Sequence, residues 1–355
     1  MKEVEVLEQL AQVEVCKGLE ELASGLGGGT MARGSGVVRR EGTNGTPSAI
    51  MSCIAVDGGP ADVCANCGKG SSGGEGGVKL KDCTACCLVK YCGVECQRAH
   101  RRQHKKACKQ RAAELKDEQL YSQGHERPEG RICPICALPI PLPTDDHSVF
   151  EVCCMKRICN GCAMAAHKRG MDYCAFCRTP CPTNDADALA MIQARVAKKD
   201  PEAINHLGNE YCHGSLGLQK DMRRALELWT EAAELGSIQA LYHLGVAYYE
   251  GDEVDQDKAK AAECWTKAAM QGCPLSRDKL GCTEIKDRGN YDRAVRHFLI
   301  SAKMGEKESL ELIKEAFMGG IATKEQYAEA LKGYRDAVEE MKSHDRDEAS
   351  ALTKS

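Results

Sequence analysis

Seventeen of the 23 cysteines fall in the 118 residues from Cys64 to Cys181, mostly as pairs two residues apart. A Cys-x2-Cys turn aims two thiolates at one point in space. Two such turns close a four-coordinate tetrahedral site of the kind that holds structural Zn²⁺. The block is polar and rich in glycine, so metal must replace the apolar core that a segment of this size would otherwise need. The remaining chain leads into this block or extends from it.

A length of 355 residues points to two or three domains. Glu3, Glu5, Glu8, Glu14, Glu20 and Glu21 are incompatible with a secretory apolar segment, and no run of 18 apolar residues occurs to cross a membrane. An intracellular location, cytoplasmic or nuclear, is therefore expected. In a reducing compartment clustered thiols favour zinc over disulfides. The net charge of −4 argues against a dedicated polyanion binder, so nucleic acid is an unfavoured partner.

Val4, Leu7, Ala11, Val15, Leu19, Leu22 and Leu26 recur every three or four residues and predict an amphipathic helix over 3–24, ended by Gly27-Gly28-Gly29. From Ser24 to Ala61 the chain has too few large apolar residues to offset the entropy of ordering. Residues 1–62 thus read as a helix and a disordered linker.

Reading on, Cys64-x2-Cys67, Cys83-x2-Cys86, Cys92-x3-Cys96 and His104-x3-Cys108 supply eight ligands for two tetrahedral ions. The order, with Tyr91 immediately before Cys92, resembles the MYND finger over residues 64–108. By that family's interleaved pattern one ion takes Cys64, Cys67, Cys92 and Cys96. The other takes Cys83, Cys86, His104 and Cys108, which leaves Cys87 and His100 as non-ligands. The spacer Gly68 to Asp82 is longer than the family's usual one. Doubling a flexible loop costs roughly 0.6 kcal/mol, against on the order of 10 kcal/mol that a structural zinc contributes, so the ion prevails. The basic run Arg98, Arg101, Arg102, Lys105, Lys106, Lys109 and Arg111 reads as the solvated face of a helix that also presents His104 and Cys108. The resemblance implies a docking site for proteins or short proline-containing peptides, ligands that lose little order on binding.

After a helical connector over 110–131 come Cys133-Pro134-Ile135-Cys136, Cys153-Cys154, Cys159-x2-Cys162 and Cys174-x2-Cys177, again eight thiols. Over 133–177 this resembles a RING finger in which every ligand is cysteine. The resemblance implies a cross-brace, with Cys133, Cys136, Cys159 and Cys162 on one ion and Cys153, Cys154, Cys174 and Cys177 on the other. Adjacent residues of an extended chain point to opposite faces, so Cys153 and Cys154 both ligate only across a bent backbone. His167 and Cys181 stand as alternatives to Cys153. In RING ligases the finger carries no nucleophile but positions a charged ubiquitin-conjugating enzyme. Two matching positions are Ile135, before the second ligand, and Arg178, directly after the last. Ala175 stands where the family has proline, and no tryptophan lies between Cys162 and Cys174. A non-enzymatic adaptor is the alternative.

From Pro201 the sequence repeats. Leu207-Gly208, Leu244-Gly245 and Leu280-Gly281 align with Ala225, Ala261 and Ala294, and with Trp229, Trp265 and Phe298. The terminal glycines Gly236, Gly272 and Gly305 give a period of 36 residues that then shortens. Each alanine, aromatic and following small residue share one helix stripe, and the Leu-Gly pair of the preceding helix permits close approach. The pattern resembles the Sel-one-like repeat over 201–305. Tyr211, Tyr248, Gly214 and Gly251 fit it, whereas Glu284 and Asp287 depart from it and leave the third turn open. Cys212, Cys264, Cys273 and Cys282 lack pairing spacing and read as small buried hydrophobes. Residues 306–343 read as a capping helix pair and 344–355 as a charged tail.

The expected architecture is two cross-braced fingers, 63–109 and 132–182, followed by an all-α helical-repeat solenoid. Four Zn²⁺ are expected, two per finger. Metal holds the fingers and apolar burial holds the solenoid, so the two parts are expected to be independently stable. Neither a phosphate-binding glycine loop nor a serine-hydrolase elbow occurs.

Overall fold

The structure, a computed structural model, describes residues 63–71, 78–251 and 253–353. The helix and linker expected over 1–62 lie outside them. The chain divides into two compact units whose described parts are 63–119 and 120–353.

In the first unit, strands β1 (Lys81–Asp82) and β2 (Lys90–Tyr91) pair antiparallel, with Lys81 opposite Tyr91. Helix α1 (Val94–Ser122) follows. The expected division into a basic helix and a separate connector at 110 does not occur. No glycine or proline interrupts Val94–Ser122, so one helix runs through residue 110, and just beyond it Arg111 forms ion pairs with Glu114 and Glu118.

The second unit opens with a short 3₁₀ turn, Glu129–Arg131, and then helix α2 (Thr144–His147). Strands β3 (Ser148–Glu151) and β4 (Lys156–Cys159) form an antiparallel hairpin that leads into α3 (Asn160–Lys168). Next comes α4 (Asp185–Val196), which the sequence reading left unassigned between 182 and 201. Asn184 caps it by accepting the Asp187 N–H, and Ala188 and Ile192 are its buried residues, one turn apart.

Antiparallel helix pairs then stack: α5 (Pro201–His213) with α6 (Met222–Glu234), α7 (Ile238–Glu250) with α8 (Lys258–Met270), and α9 (Pro274–Lys286) with α10 (Tyr291–Lys303). Side chains of Asp200, Asp221, Ser237, Asp257 and Asn290 cap the starts of all but α9. The Leu-Gly pair has a specific partner in each repeat. A β-carbon on Gly208 would lie 2.7 Å from the Trp229 ring; on Gly245, 2.3 Å from Trp265; on Gly281, 2.5 Å from Phe298. Each aromatic therefore occupies the space that a side chain on the facing helix would need, and Trp265 is 1% exposed.

The third turn differs in side chains but keeps its backbone closure. Asp221 N–H donates to Tyr211 O, Asp257 N–H to Tyr248 O, and Asn290 N–H to Glu284 O, each at 2.8 Å. The last loop is shorter, which explains the shortened period. Buried Glu284 accepts from Arg288 and Arg293, and Asp287 from Lys258. Within the second unit Arg277, fully buried on α9, donates to the carbonyls of Leu120 and Gln123 at 2.7 and 2.6 Å.

Helices α11 (Lys307–Met318) and α12 (Lys324–Glu340) close the stack, the latter with a Thr323/Gln326 capping box. The residues read as a charged tail form α13 (His344–Thr353) instead, and this helix packs on α3. Lys168 pairs with Glu348 at 2.5 Å across that contact. Charge alone concealed a helix whose partner lies some 180 residues earlier in the chain.

Independence of finger and solenoid also needs correction for the second cysteine block. Met155, at the tip of the β3–β4 hairpin and 6% exposed, shares one apolar cluster with Ile192, Ile204, Leu207 and Trp229. Phe150 and Val152 pack against the same cluster, and Arg195 on α4 donates to the Cys153 carbonyl at 2.9 Å. Among the described residues no helix is long and apolar enough to cross a membrane.

Candidate metal centres

Four groups of ligand atoms converge, each with all atoms within 4.8 Å of one another: Cys64, Cys67, Cys92 and Cys96; Cys83, Cys86, His104 and Cys108; Cys133, Cys136, Cys159 and Cys162; Cys153, Cys154, Cys174 and Cys177. Both cysteine blocks are thus interleaved, the first and third ligand pairs meeting at one point and the second and fourth at another.

One local device builds the sites. In each of four Cys-x2-Cys turns the residue after the second cysteine adopts positive φ, and its N–H donates to the carbonyl of the first. These are Gly68 to Cys64, Cys87 to Cys83, Ala137 to Cys133 and Arg178 to Cys174, at 2.8 to 2.9 Å. The closed turn leaves both sulfurs on one side. Cys87 therefore closes a turn rather than ligating, and its side chain is exposed.

The adjacent pair Cys153-Cys154 is reconciled by the hairpin. Both lie in its turn, where Cys154 N–H and Met155 N–H donate to Glu151 O and Met155 takes φ +53°. That bend brings Cys153 Sγ to 3.3 Å from Cys177 Sγ and Cys154 Sγ to 3.8 Å from Cys174 Sγ. His167, exposed in the last turn of α3, and exposed Cys181 are in none of the four groups.

In the first unit α1 supplies His104 and Cys108 one turn apart. His104 Nε2 lies 3.2 Å from Cys86 Sγ, and its ring stacks on His100, which in turn meets the hydroxyl of buried Tyr91 at 3.1 Å. His100 thus orients a ligand without being one. Burial, with the neighbouring His100, lowers the His104 pKa and favours the neutral form that ligates.

The donor set fits zinc. Tetrahedral Zn–S bonds of about 2.3 Å place sulfurs roughly 3.8 Å apart. Observed pairs lie at 3.6 Å (Cys67 and Cys92), 3.7 Å (Cys83 and Cys108) and 3.8 Å (Cys136 and Cys159). The electrostatics agree. Hydrogen bonds with Cys96, Cys64 and Cys67 push the Cys92 thiol up to about 12, and burial followed by the Cys174 charge pushes Cys154 up to about 12. Within the third group the hydrogen bond with Cys159 pulls Cys133 down to about 4 while pushing Cys159 upward. Thiolates so close together need a divalent cation to coexist.

Ile135 and Arg178, the positions singled out for partner contact, are both exposed and sit on different turns, Ile135 within Cys133–Cys136 and Arg178 after Cys177. Phe176, inside the last turn and 44% exposed, shares that property and was missed. Its signal was an aromatic side chain in a turn with no room to bury it. Arg346, which reaches the third group from α13, carried no such signal. On α1 the cationic residues of the basic run are exposed apart from Arg111, as a solvated helix face requires.

Fold and sites together define a zinc-binding protein of interleaved cysteine-rich modules joined to a helical solenoid. Residues 64–108 match the MYND finger family, and residues 201–237, 238–273 and 286–306 match the Sel1 repeat. The chain thus contains a MYND finger and Sel1 repeats, both protein-interaction modules. Among solved structures it is similar to a Sel1 repeat protein from Oxalobacter formigenes, at 18% identity over 50% of this chain and 72% of that one, with a TM-score of 0.40. It is also similar to a protective antigen of uropathogenic Escherichia coli with an SLR fold, at 18% identity over 53% of this chain and 42% of that one, TM-score 0.35. A third is an immunity protein from Pseudomonas aeruginosa, at 19% identity over 60% and 72%, TM-score 0.33.

Proposed function

We propose that this zinc-binding interaction protein works in the cytoplasm or nucleus as a RING-type ubiquitin ligase, with the MYND finger and the solenoid recruiting its partners. The observation that supports the reading is the interleaved eight-cysteine module that leaves Ile135 and Phe176 exposed on the turns of its two different sites. In this reading the apolar pair grips a ubiquitin-conjugating enzyme, and the Arg178 guanidinium bridges it to the thioester-linked ubiquitin. The chain supplies no nucleophile. An acceptor amine attacks the thioester carbonyl, the enzyme's thiolate leaves, and the module's contribution is to hold the thioester in a reactive geometry.

The test is single-turnover discharge of ubiquitin from a panel of charged conjugating enzymes. Arg178→Ala slows discharge while keeping zinc and fold. Ile135→Ala weakens enzyme binding, and Cys159→Ser loses metal, fold and activity together. No discharge with any enzyme by zinc-loaded, folded protein rejects the ligase.

The second reading is a non-enzymatic adaptor. Three features favour it: α3 carries no tryptophan, Ala175 replaces proline, and α13 already occupies one face of α3, with the Asp345–Arg346 backbone against Gly161.

A further inference from the structure

Of the four clusters, the one formed by Cys133, Cys136, Cys159 and Cys162 is reached by a side chain from the far end of the sequence. Arg346 on α13 spreads its guanidinium over the Cys133–Cys136 turn. One terminal nitrogen donates to Pro139 O at 2.5 Å and Met341 O at 2.7 Å; the other donates to Leu138 O at 3.1 Å and to Cys136 Sγ at 3.4 Å. The approach is close because α3 has glycine at 161. A β-carbon there would lie 2.7 Å from Arg346 N and 2.8 Å from Asp345 C. The Lys168–Glu348 ion pair ties the outer side of the same contact.

Four thiolates around one divalent ion leave an excess of two negative charges, here beside Cys133 and Cys159, both almost fully buried. A guanidinium donating to a ligand sulfur offsets part of that excess and holds the sulfur in place. At the companion cluster Arg195 donates to the Cys153 carbonyl rather than to a sulfur. The difference between the two halves of one module is therefore chemical as well as positional.

We propose that α13 is a retention clamp for the zinc ion of the Cys133, Cys136, Cys159 and Cys162 site, with Arg346 as the positioning residue. The ion's hold then depends on whether α13 is docked on α3. A partner that draws α13 away would loosen this ion ahead of the other three. The inference rests on the zinc fit and is independent of ligase activity.

The test uses the full chain loaded with zinc. A chelator and a thiol-alkylating reagent are added together, and the alkylation rate of each cysteine-containing peptide is read by mass spectrometry. Arg346→Gln should accelerate alkylation at Cys133, Cys136, Cys159 and Cys162 by about 10-fold or more, the usual cost of removing a hydrogen-bond partner of a metal ligand. The peptides of the other three sites should keep their wild-type rates. Arg346→Lys, which keeps the charge, should fall between wild type and Arg346→Gln. Glu348→Lys, which opposes Lys168 and leaves Arg346 intact, should accelerate the same four cysteines to a smaller degree. Equal acceleration at all eight cysteines of the module would reduce Arg346 to a general prop of the fold. Unchanged rates in Arg346→Gln and Glu348→Lys would overturn the clamp altogether.

Discussion

The Arg178 amide donates to the Cys174 carbonyl at 2.9 Å with its backbone at φ +60°, so the side chain that the ligase reading assigns to a ubiquitin contact sits on a left-handed residue. Gly68 fills the equivalent place in the first turn of the MYND finger. A non-glycine residue there carries roughly 1 kcal/mol of strain, as Cys87 and Ala137 do in the corresponding turns.

That relationship separates two roles of one residue. Arg178→Gly relieves strain but frees the unfolded chain, so the zinc-loaded module should melt within about 1 kcal/mol of wild type. Arg178→Ala keeps the strain and should be no more stable than wild type. In the ligase reading both slow ubiquitin discharge alike, because both lack the guanidinium. A discharge defect that tracks stability across the pair would place Arg178 in the fold alone.

The ring-on-glycine contact gives a coupled pair. Trp265→Ala should destabilise by about 3 to 5 kcal/mol as a large core truncation. Gly245→Ala should cost about 1 to 3 kcal/mol by overpacking against the same ring. In the double variant the second cost should largely vanish, since the cavity left by tryptophan accepts the new methyl. Denaturant unfolding of the four proteins checks this, and simple additivity would contradict the contact.

Met155 couples the second zinc module to the solenoid. Met155→Ala should lower solenoid stability by about 2 to 5 kcal/mol while leaving the zinc content unchanged. Cys174→Ser, which breaks the site whose Cys153-Cys154 turn carries Met155, should also lower the temperature at which the helical signal is lost. Unchanged helical melting in both variants would restore the expectation of independent parts.

Burial, reinforced by Asp278, raises Glu306 at the start of α11 to about 7. A carboxyl raised on folding favours the folded state at low pH, and that contribution is lost as pH rises from the ordinary value of 4.5 through about 7. Glu306→Gln should therefore be more stable than wild type above pH 7 by on the order of 2 kcal/mol. The difference should shrink toward pH 5. Parallel melts at pH 5, 6, 7 and 8 decide it, and a pH-independent difference would reject the titration.

Local spacing made the ligands and the repeat legible, because both are short-range patterns: Cys-x2-Cys turns fix sulfur pairs, and Ala225, Trp229 and Ala232 fix a helix stripe. Which pairs share an ion was implied by the resemblance to the MYND finger, since spacing places His104 and Cys108 one turn apart but does not say which other pair they meet. Contacts between segments far apart in sequence were not. Nothing near Met155 indicates that it joins the cluster of Ile204 and Trp229, and nothing near Arg346 indicates Cys136. Cys153-Cys154 lay between these cases. Its ligand role was expected, but the hairpin that permits it became clear only from the pairing of β3 with β4.

The central claim is that two interleaved modules each hold two structural zinc ions. Native mass spectrometry of the purified chain, with metal identity checked by elemental analysis, measures this directly. Two sets of eight ligands fully occupied give four Zn²⁺ per chain. A mass corresponding to two ions, or cysteines of any one cluster recovered as disulfides, would contradict the account.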